Sequence, residues 1–333
     1  MNSIYEPQLS IVVLTYNRHH LLRDCLQSLL EQNIAAQEVE LVVADDGSTD
    51  ATGQVVEEVR RRCARLVYVR QPHKGIPATR NLGIRHSSGR LVAIVADDYL
   101  FSPDYASTVI RFFEEKPHAE IVRFKIVASR DDIFSRLSHF YYEISIMNQL
   151  LRQPELKSNF EKLIRYFKRL PVPKTQITTE HDLVAAGAAA FRRSVFDRAG
   201  LFDEDLLRGE DADYTRRLKA LGILVYYNPF HEVRHQYSWG CLDTLQKNFA
   251  HGINHYRLYR KHAGAPSLSQ LVSGASHALT HQFLQAIWRA RQVQRTWQFF
   301  LYFPALLAFE MSFKAGMCWG FFKSLVCRNG RED

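Results

Sequence analysis

The chain has 333 residues, 46% of them hydrophobic, which is enough to bury a full core as one large domain or, the reading we adopt, one domain with an appendage. A formal charge of +8 favours anionic partners: a nucleotide diphosphate, an anionic membrane surface or a nucleic acid. No recognition helix, zinc finger or RNA-binding aromatic signature is present, so nucleic acid is set aside. The five cysteines (Cys25, Cys63, Cys241, Cys318, Cys327) are scattered and have no Cys-x-x-Cys spacing, which excludes a zinc ribbon or redox dithiol and predicts reduced thiols in a cytosolic protein. The apolar run near the N-terminus, Leu9 to Leu14, is strand-sized and has no basic segment before it, so no signal peptide is expected.

In chain order, Leu9 to Tyr16, Val39 to Ala44, Leu66 to Val69 and Leu91 to Ala96 are short apolar runs, expected as strands buried on both faces. Between the first two, His20 to Gln32 places Leu21, Leu22, Cys25, Leu26, Leu29 and Leu30 on one helical stripe. Ser48 or Asp50 is placed to cap a helix running to Cys63. This alternation predicts a mostly parallel, Rossmann-like α/β sheet flanked by helices. In such sheets ligands bind beyond the carboxyl ends of the strands, where Tyr16-Asn17-Arg18, Asp45-Asp46 and Asp97-Asp98 would emerge together and form a crevice for a polar ligand.

From about 130 to 181 the sequence becomes helical in pattern, polar and aromatic-bearing, and is expected as an insertion: a wall of an acceptor pocket, or a segment whose aromatic residues pack it onto the core. An extended run from Val184 to Phe191, a helix near Ser194, the Leu201-Phe202-Asp203-Glu204 turn and a helix from Glu210 to Leu221 follow. Ile223 to Tyr227 and Glu232 to His235 are expected to be extended, and the chain beyond Trp239 helical to its end.

Several of these elements, in this order, carry a resemblance. Thr15-Tyr16-Asn17-Arg18, Asp45-Asp46-Gly47-Ser48-Thr49-Asp50, Gly75 to Gly83, Ala96-Asp97-Asp98, and Gly187 to Arg193 leading to Arg208-Gly209-Glu210-Asp211 are together similar to the family 2 glycosyltransferases, inverting enzymes of the GT-A fold that use nucleotide-sugar donors. The resemblance covers roughly Leu9 to Gln236. It implies that Asp45 accepts a hydrogen bond from the nucleotide base with Thr15 lining the same base, and that Asp46, Arg80 and Asn81 belong to the donor site. On the residues alone, Asp45, Asp46 and Ser48 also suit a turn that caps the next helix, and Arg80 a surface charge.

Ala96-Asp97-Asp98 matches the family's Asp-x-Asp element, with alanine in place of its first acid. The match implies that Asp98 touches a divalent cation, magnesium or manganese, and that Asp97 contacts ribose or supports the site. His235 falls where relatives often place a histidine near the metal or the diphosphate, a position that a structural histidine would also fill. Asp211 matches the family's base and Glu210 would orient the acceptor or loop, while both acids would also favour the N-terminus of the following helix. Gly187 to Ala190 lacks the asparagine that the family often has near the acceptor, and the chain lacks the Gln-x-x-Arg-Trp of polymerising relatives, which points to addition of one sugar.

In the tail, Trp297 to Phe309 is apolar but interrupted by Pro304 and short of the ~20 residues that a bilayer span needs. Basic residues on both sides suit a helix in the membrane interface; a helical hairpin packed on the catalytic domain or on a second subunit suits the same pattern.

The expectation is therefore a GT-A domain over 1–240, with its insertion at about 130–181, and a C-terminal helical region over 241–333. Its function would be transfer of one sugar from a nucleotide-diphosphate donor, a UDP-sugar first, to a hydroxyl of a lipid-linked or cell-surface glycan, with inversion. Catalysis would face the cytoplasm, with a peripheral place on the inner face of the membrane and a homo-oligomer as further expectations. Two readings compete: a catalytically silent nucleotide-sugar-binding scaffold at a membrane assembly, which Ala96 makes conceivable, and a nucleotidyltransferase, which should show an early Gly-rich phosphate loop that is not evident here.

Overall fold

The structure is a computed structural model that describes residues 6–130, 178–180, 187–206, 209–236, 241–263 and 299–326. Arg208, Trp239 and nearly all of the expected insertion lie outside these residues. The described residues fall into two compact units, one containing residues up to 129 and those from 178 to 236, the other containing the two long C-terminal helices.

In the first unit, β1 (Leu9–Thr15), β2 (Val39–Asp45), β3 (Leu66–Arg70) and β4 (Leu91–Ala96) pair in parallel in the order β3-β2-β1-β4. Every residue of β1 is buried, which is why its sequence is a continuous apolar run rather than an alternating one. The crossovers are α1 (His19–Leu30), α2 (Thr52–Arg60) and α3 (Ile76–Arg85). Then β5 (Tyr99–Leu100), α4 (Tyr105–Glu115) and β6 (Ile121–Ala128) lead into β7 (Thr178–Glu180), β8 (Ala188–Arg192), α5 (Ser194–Ala199), α6 (Glu210–Ala220) and β9 (Val225–His235).

Beyond β4 the sheet becomes mixed. β8 lies between β4 and β6, antiparallel to both, and β9 runs parallel to β6. The small residues Ala188, Ala189 and Ala190 are fully packed in this central position. β7 pairs with β9, so Thr178–Glu180 is a strand where the sequence pattern suggested helix.

The sheet separates two apolar cores. One holds Leu22 and Leu26 of α1, Val55 and Val59 of α2, and Tyr105, Val109 and Phe112 of α4. The other holds Ile84 of α3, Val195 and Phe196 of α5, and Tyr214 and Leu218 of α6. Strand β9 contributes to both, because its pairing with β6 jumps between Phe124↔Asn228 and Lys125↔Glu232. Pro229, Phe230 and His231 are left unpaired there, an odd number, so the side-chain alternation reverses: Val225 joins one core and Val233 the other.

The second unit contains α7 (Cys241–Ala263) and α8 (Phe299–Val326), packed side by side. Leu245 meets Ser312, Gly252 meets Phe313 and Met317, and Tyr256 meets Ser324, so the helices run parallel rather than as a hairpin. A Cβ on Gly252 would lie 2.0 Å from the Phe313 carbonyl, and one on Gly316 would lie 2.0 Å from that of Phe249, so both positions need glycine for the backbones to touch. Pro304 does not break α8: as its sixth residue it removes one intrahelical hydrogen bond near the N-terminus. No described helix is long and apolar enough to cross a membrane.

A candidate active site at the carboxyl edge of the sheet

Register brings the expected loops together. Thr15 pairs with Asp45 and Leu14 with Ala96, so the turns after β1, β2 and β4 leave the sheet side by side. Three groups of side chains occupy this edge.

The first is built on Asp45 and Asp46. Asp45 is fully buried; its Oδ1 accepts hydrogen bonds from the Ser48 N–H (2.8 Å) and hydroxyl (2.6 Å), and its Oδ2 accepts one from the Tyr68 hydroxyl (2.6 Å), with Arg70 Nε at 3.5 Å. Burial, and the carboxylate after it, pushes the Tyr68 hydroxyl well above its ordinary pKa. Gly47 allows this turn: its φ is +87°, and a Cβ would meet the Gln71 carbonyl at 2.9 Å. Asp46 accepts from the backbone N–H groups of Lys74 and Gly75 and from Gln71 Nε2, and its Oδ2 lies 2.7 Å from His73 Nδ1. It thereby fixes the loop that starts α3. His73 stacks on Tyr16 with ring centroids 4.2 Å apart, an exposed aromatic pair at this edge.

The second group surrounds Asp97 and Asp98. Thr15 donates its hydroxyl to Asp97 Oδ2 at 2.7 Å, and the Arg18 guanidinium lies 2.8 Å from Asp97 Oδ1 and 2.8 Å from Asp98 Oδ2. Burial pushes the Asp97 carboxyl upward; Arg18 opposes this and the Asp98 charge adds to it. On the other side of Asp98, Oδ1 makes no hydrogen bond and faces His235 Nε2 at 3.6 Å. His235 comes from the end of β9, placed by its pairing with Tyr99, whose ring packs edge-on against the imidazole.

The third group joins α3 to α6. Arg80 is buried, lies over the Phe202 ring at 4.4 Å, and extends Nη1 to Asp211 Oδ1 (3.0 Å) and Glu210 Oε1 (3.3 Å). Asn81 clamps the preceding turn: its amide donates to the Phe202 carbonyl and to Glu204, while its carbonyl accepts the Phe202 N–H. Asp211 is the more open of the two acids at the start of α6, Glu210 being almost closed off.

Thr15, Asp97, Asp98 and His235 therefore meet, and so do Arg80, Asn81, Glu210 and Asp211, while Asp45 and Asp46 are engaged by their own turn and by the start of α3. Two features went unread in the sequence. Arg18 was legible only as part of a motif, although a cation one residue before a helix and facing an Asp-Asp pair was a signal. The stacking of His73 on Tyr16 had none, since the two residues are distant in the chain.

The chain is similar to known proteins. The model of the family described as Glycosyl transferase family 2 matches residues 10–200, more than half of the chain, and stops before Glu210 and Asp211. The uncharacterized glycosyltransferase EpsJ of Bacillus subtilis is 28% identical over 270 residues, 76% of this chain and 71% of that protein. Validoxylamine A glucosyltransferase of Streptomyces hygroscopicus is 32% identical over 234 residues, 65% of this chain, and the match spans 49% of that longer protein. Among solved structures, the mannosyltransferase PcManGT from Pyrobaculum calidifontis, in complex with GDP-Man and Mn2+, superposes with a TM-score of 0.61 at 18% identity over 96% of this chain and 88% of its own. TarS 1-349 of S. aureus gives 0.51 at 16% identity over 95% and 92%. These likenesses share the GT-A fold, a mixed sheet flanked by helices, and with the family match they make the chain a glycosyltransferase belonging to glycosyl transferase family 2.

Proposed function

We propose that the protein transfers one sugar from a nucleotide-diphosphate donor to a glycan hydroxyl, with inversion at the anomeric carbon. The observation that carries this reading is the placement of Asp211: a carboxylate on the open side of α6, held by a buried arginine, as a base acting on an acceptor hydroxyl needs to be. Asp211 takes the proton as the hydroxyl attacks, and Glu210, more enclosed, fixes the loop that presents it. Thr15, Asp45, Asp46 and Asp97 shape the nucleotide side of the crevice; Arg80 and Asn81 serve it indirectly by joining α3 to the acid-bearing turn.

The residues also fit a divalent cation. Asp98 Oδ1 is buried without a hydrogen bond and faces an imidazole nitrogen beyond bonding distance, an oxygen and nitrogen donor pair that suits magnesium or manganese. Among the described residues no group of three or more His, Cys, Asp or Glu is arranged for a metal, so diphosphate and water would complete the coordination. Such a cation supplies positive charge to the leaving diphosphate. PcManGT carries Mn2+ with GDP-Man, which supports this reading for the neighbour's fold.

Incubation of the purified protein with a panel of nucleotide sugars, manganese and a glycan acceptor, followed by NMR of the new anomeric centre, tests the proposal. The expected product has inverted configuration from one donor of the panel, and retention of configuration would exclude Asp211 as a base.

The acceptor is proposed to be lipid-linked or surface-bound, because α8 carries a face suited to a membrane interface. Met311, Trp319 and Phe322 are exposed. At about 100° per residue they fall within an arc of about 80°, flanked by Lys314 and Lys323. Replacing all three apolar residues by serine is expected to reduce co-sedimentation with anionic vesicles severalfold and leave the melting temperature unchanged. Equal sedimentation would remove membrane contact from this face.

A further inference from the structure

In the acidic pocket between β1 and β4 an arginine already stands where a positive charge is wanted. Arg18 bridges both carboxylates at 2.8 Å, with Asp97 closed to solvent and the arginine side chain 35% exposed. Its backbone has little freedom. Asn17 sits in the left-handed region with φ +51°, the only described non-glycine residue to do so; its N–H bonds Ser48 Oγ and its side chain accepts the Thr49 N–H. On the other side the Arg18 carbonyl accepts the Leu22 N–H, the first turn of α1. The guanidinium is thus built in as part of the loop.

Resting on the metal reading of Asp98 and His235, we propose that Arg18 makes metal binding conditional on the donor. A divalent cation at Asp98 Oδ1 would share one carboxylate with the guanidinium on Oδ2. Without an anion between them, the two cations repel across a few ångströms of poorly solvated space. A nucleotide diphosphate reverses the sign: its negative charge is attracted by both, and Arg18 gains phosphate oxygens as partners while it keeps Asp97. Metal and donor then bind as a pair, and Arg18 offsets part of the carboxylate charge between turnovers. The alanine at position 96 fits this arrangement, because one acid fewer leaves less negative charge for the single guanidinium to offset.

The test uses the full chain and reads binding rather than turnover. Free Mn2+ is followed by electron paramagnetic resonance, alone and with a nucleoside diphosphate, for the parent, Arg18→Gln and Arg18→Lys. Calorimetry of the nucleoside diphosphate with a chelator gives the metal-free affinity. The parent is expected to bind Mn2+ weakly alone and strongly with the nucleotide. Arg18→Gln should bind Mn2+ alone on the order of tenfold more tightly, and the metal-free nucleotide on the order of tenfold more weakly, the worth of one charge-assisted hydrogen bond. Arg18→Lys, which keeps the charge but not the two-pronged geometry, should fall between them and guards against a folding defect in the glutamine variant. Unchanged or weaker binding of Mn2+ alone to a folded Arg18→Gln overturns the role of Arg18 while leaving the metal site standing. Absence of Mn2+ binding to the parent even with nucleotide would instead remove the metal site, and this inference with it.

Discussion

Asp211→Asn is expected to lower the rate of sugar transfer by ~10²–10⁴, the usual scale for loss of a general base and about 3–5 kcal/mol of barrier. Donor affinity should stay within a few-fold, because the base acts on the acceptor proton in the transition state and adds little to ground-state binding of the nucleotide. Asparagine keeps the size of the side chain and retains an oxygen for Arg80, whose Nη1 lies 3.0 Å from Asp211 Oδ1, so the clamp between α3 and α6 should survive. Steady-state kinetics together with donor calorimetry decide it. Transfer retained within a few-fold would remove Asp211 from the mechanism, and an equal loss of donor affinity would make it a binding residue.

Asp98→Ala is expected to have the second largest effect. It removes the oxygen that faces His235 and one of the two anchors of Arg18. Manganese-dependent donor binding should weaken by at least about 100-fold, the upper end for residues that only support a metal ligand. A chelator should reproduce most of that loss in the parent and little further loss in the variant, because both act through the same cation. Metal-independent binding with full turnover in the parent would contradict the assignment. Asp98→Asn is the isosteric companion: it retains the shape, discards the charge, and separates a coordination defect from a collapsed loop.

The parallel half of the sheet was readable because burial on both faces writes a plain pattern: the apolar runs expected at the first four strands end within one residue of the observed ones. Burial also marks Leu22, Cys25, Leu26 and Leu29 as the inner stripe of α1. What the sequence could not show was pairing between distant segments. Nothing in Ala188-Ala189-Ala190 reveals that the strand is antiparallel and central, because small residues suit any crowded place. Pro304 was expected to interrupt its apolar run, yet a proline so near a helix start costs one hydrogen bond and leaves the rest intact. The two C-terminal helices run parallel, an arrangement that no local periodicity encodes.

The site was legible in the same uneven way. Asp45, Asp46, Asp97 and Asp98 could be placed by strand ends, whereas their partners could not. Arg80 and Asn81, expected beside the donor, spend their hydrogen bonds on the α6 side, a fact carried by residues more than 120 positions away. Asp45 was expected to face a base and is enclosed by Ser48 and Tyr68.

The break in pairing between β6 and β9 acts as a parity device. Three unpaired residues turn the strand over, so His235 emerges on the Val233 side, against Tyr99 and Asp98. If the excursion at Pro229–His231 gained one residue, Arg234 would take that place, and if it lost one, Gln236 would, and in either case the imidazole would point into the other layer. Changes of two residues preserve the facing, so this short segment constrains length in steps of two while leaving the identity of the exposed Phe230 open.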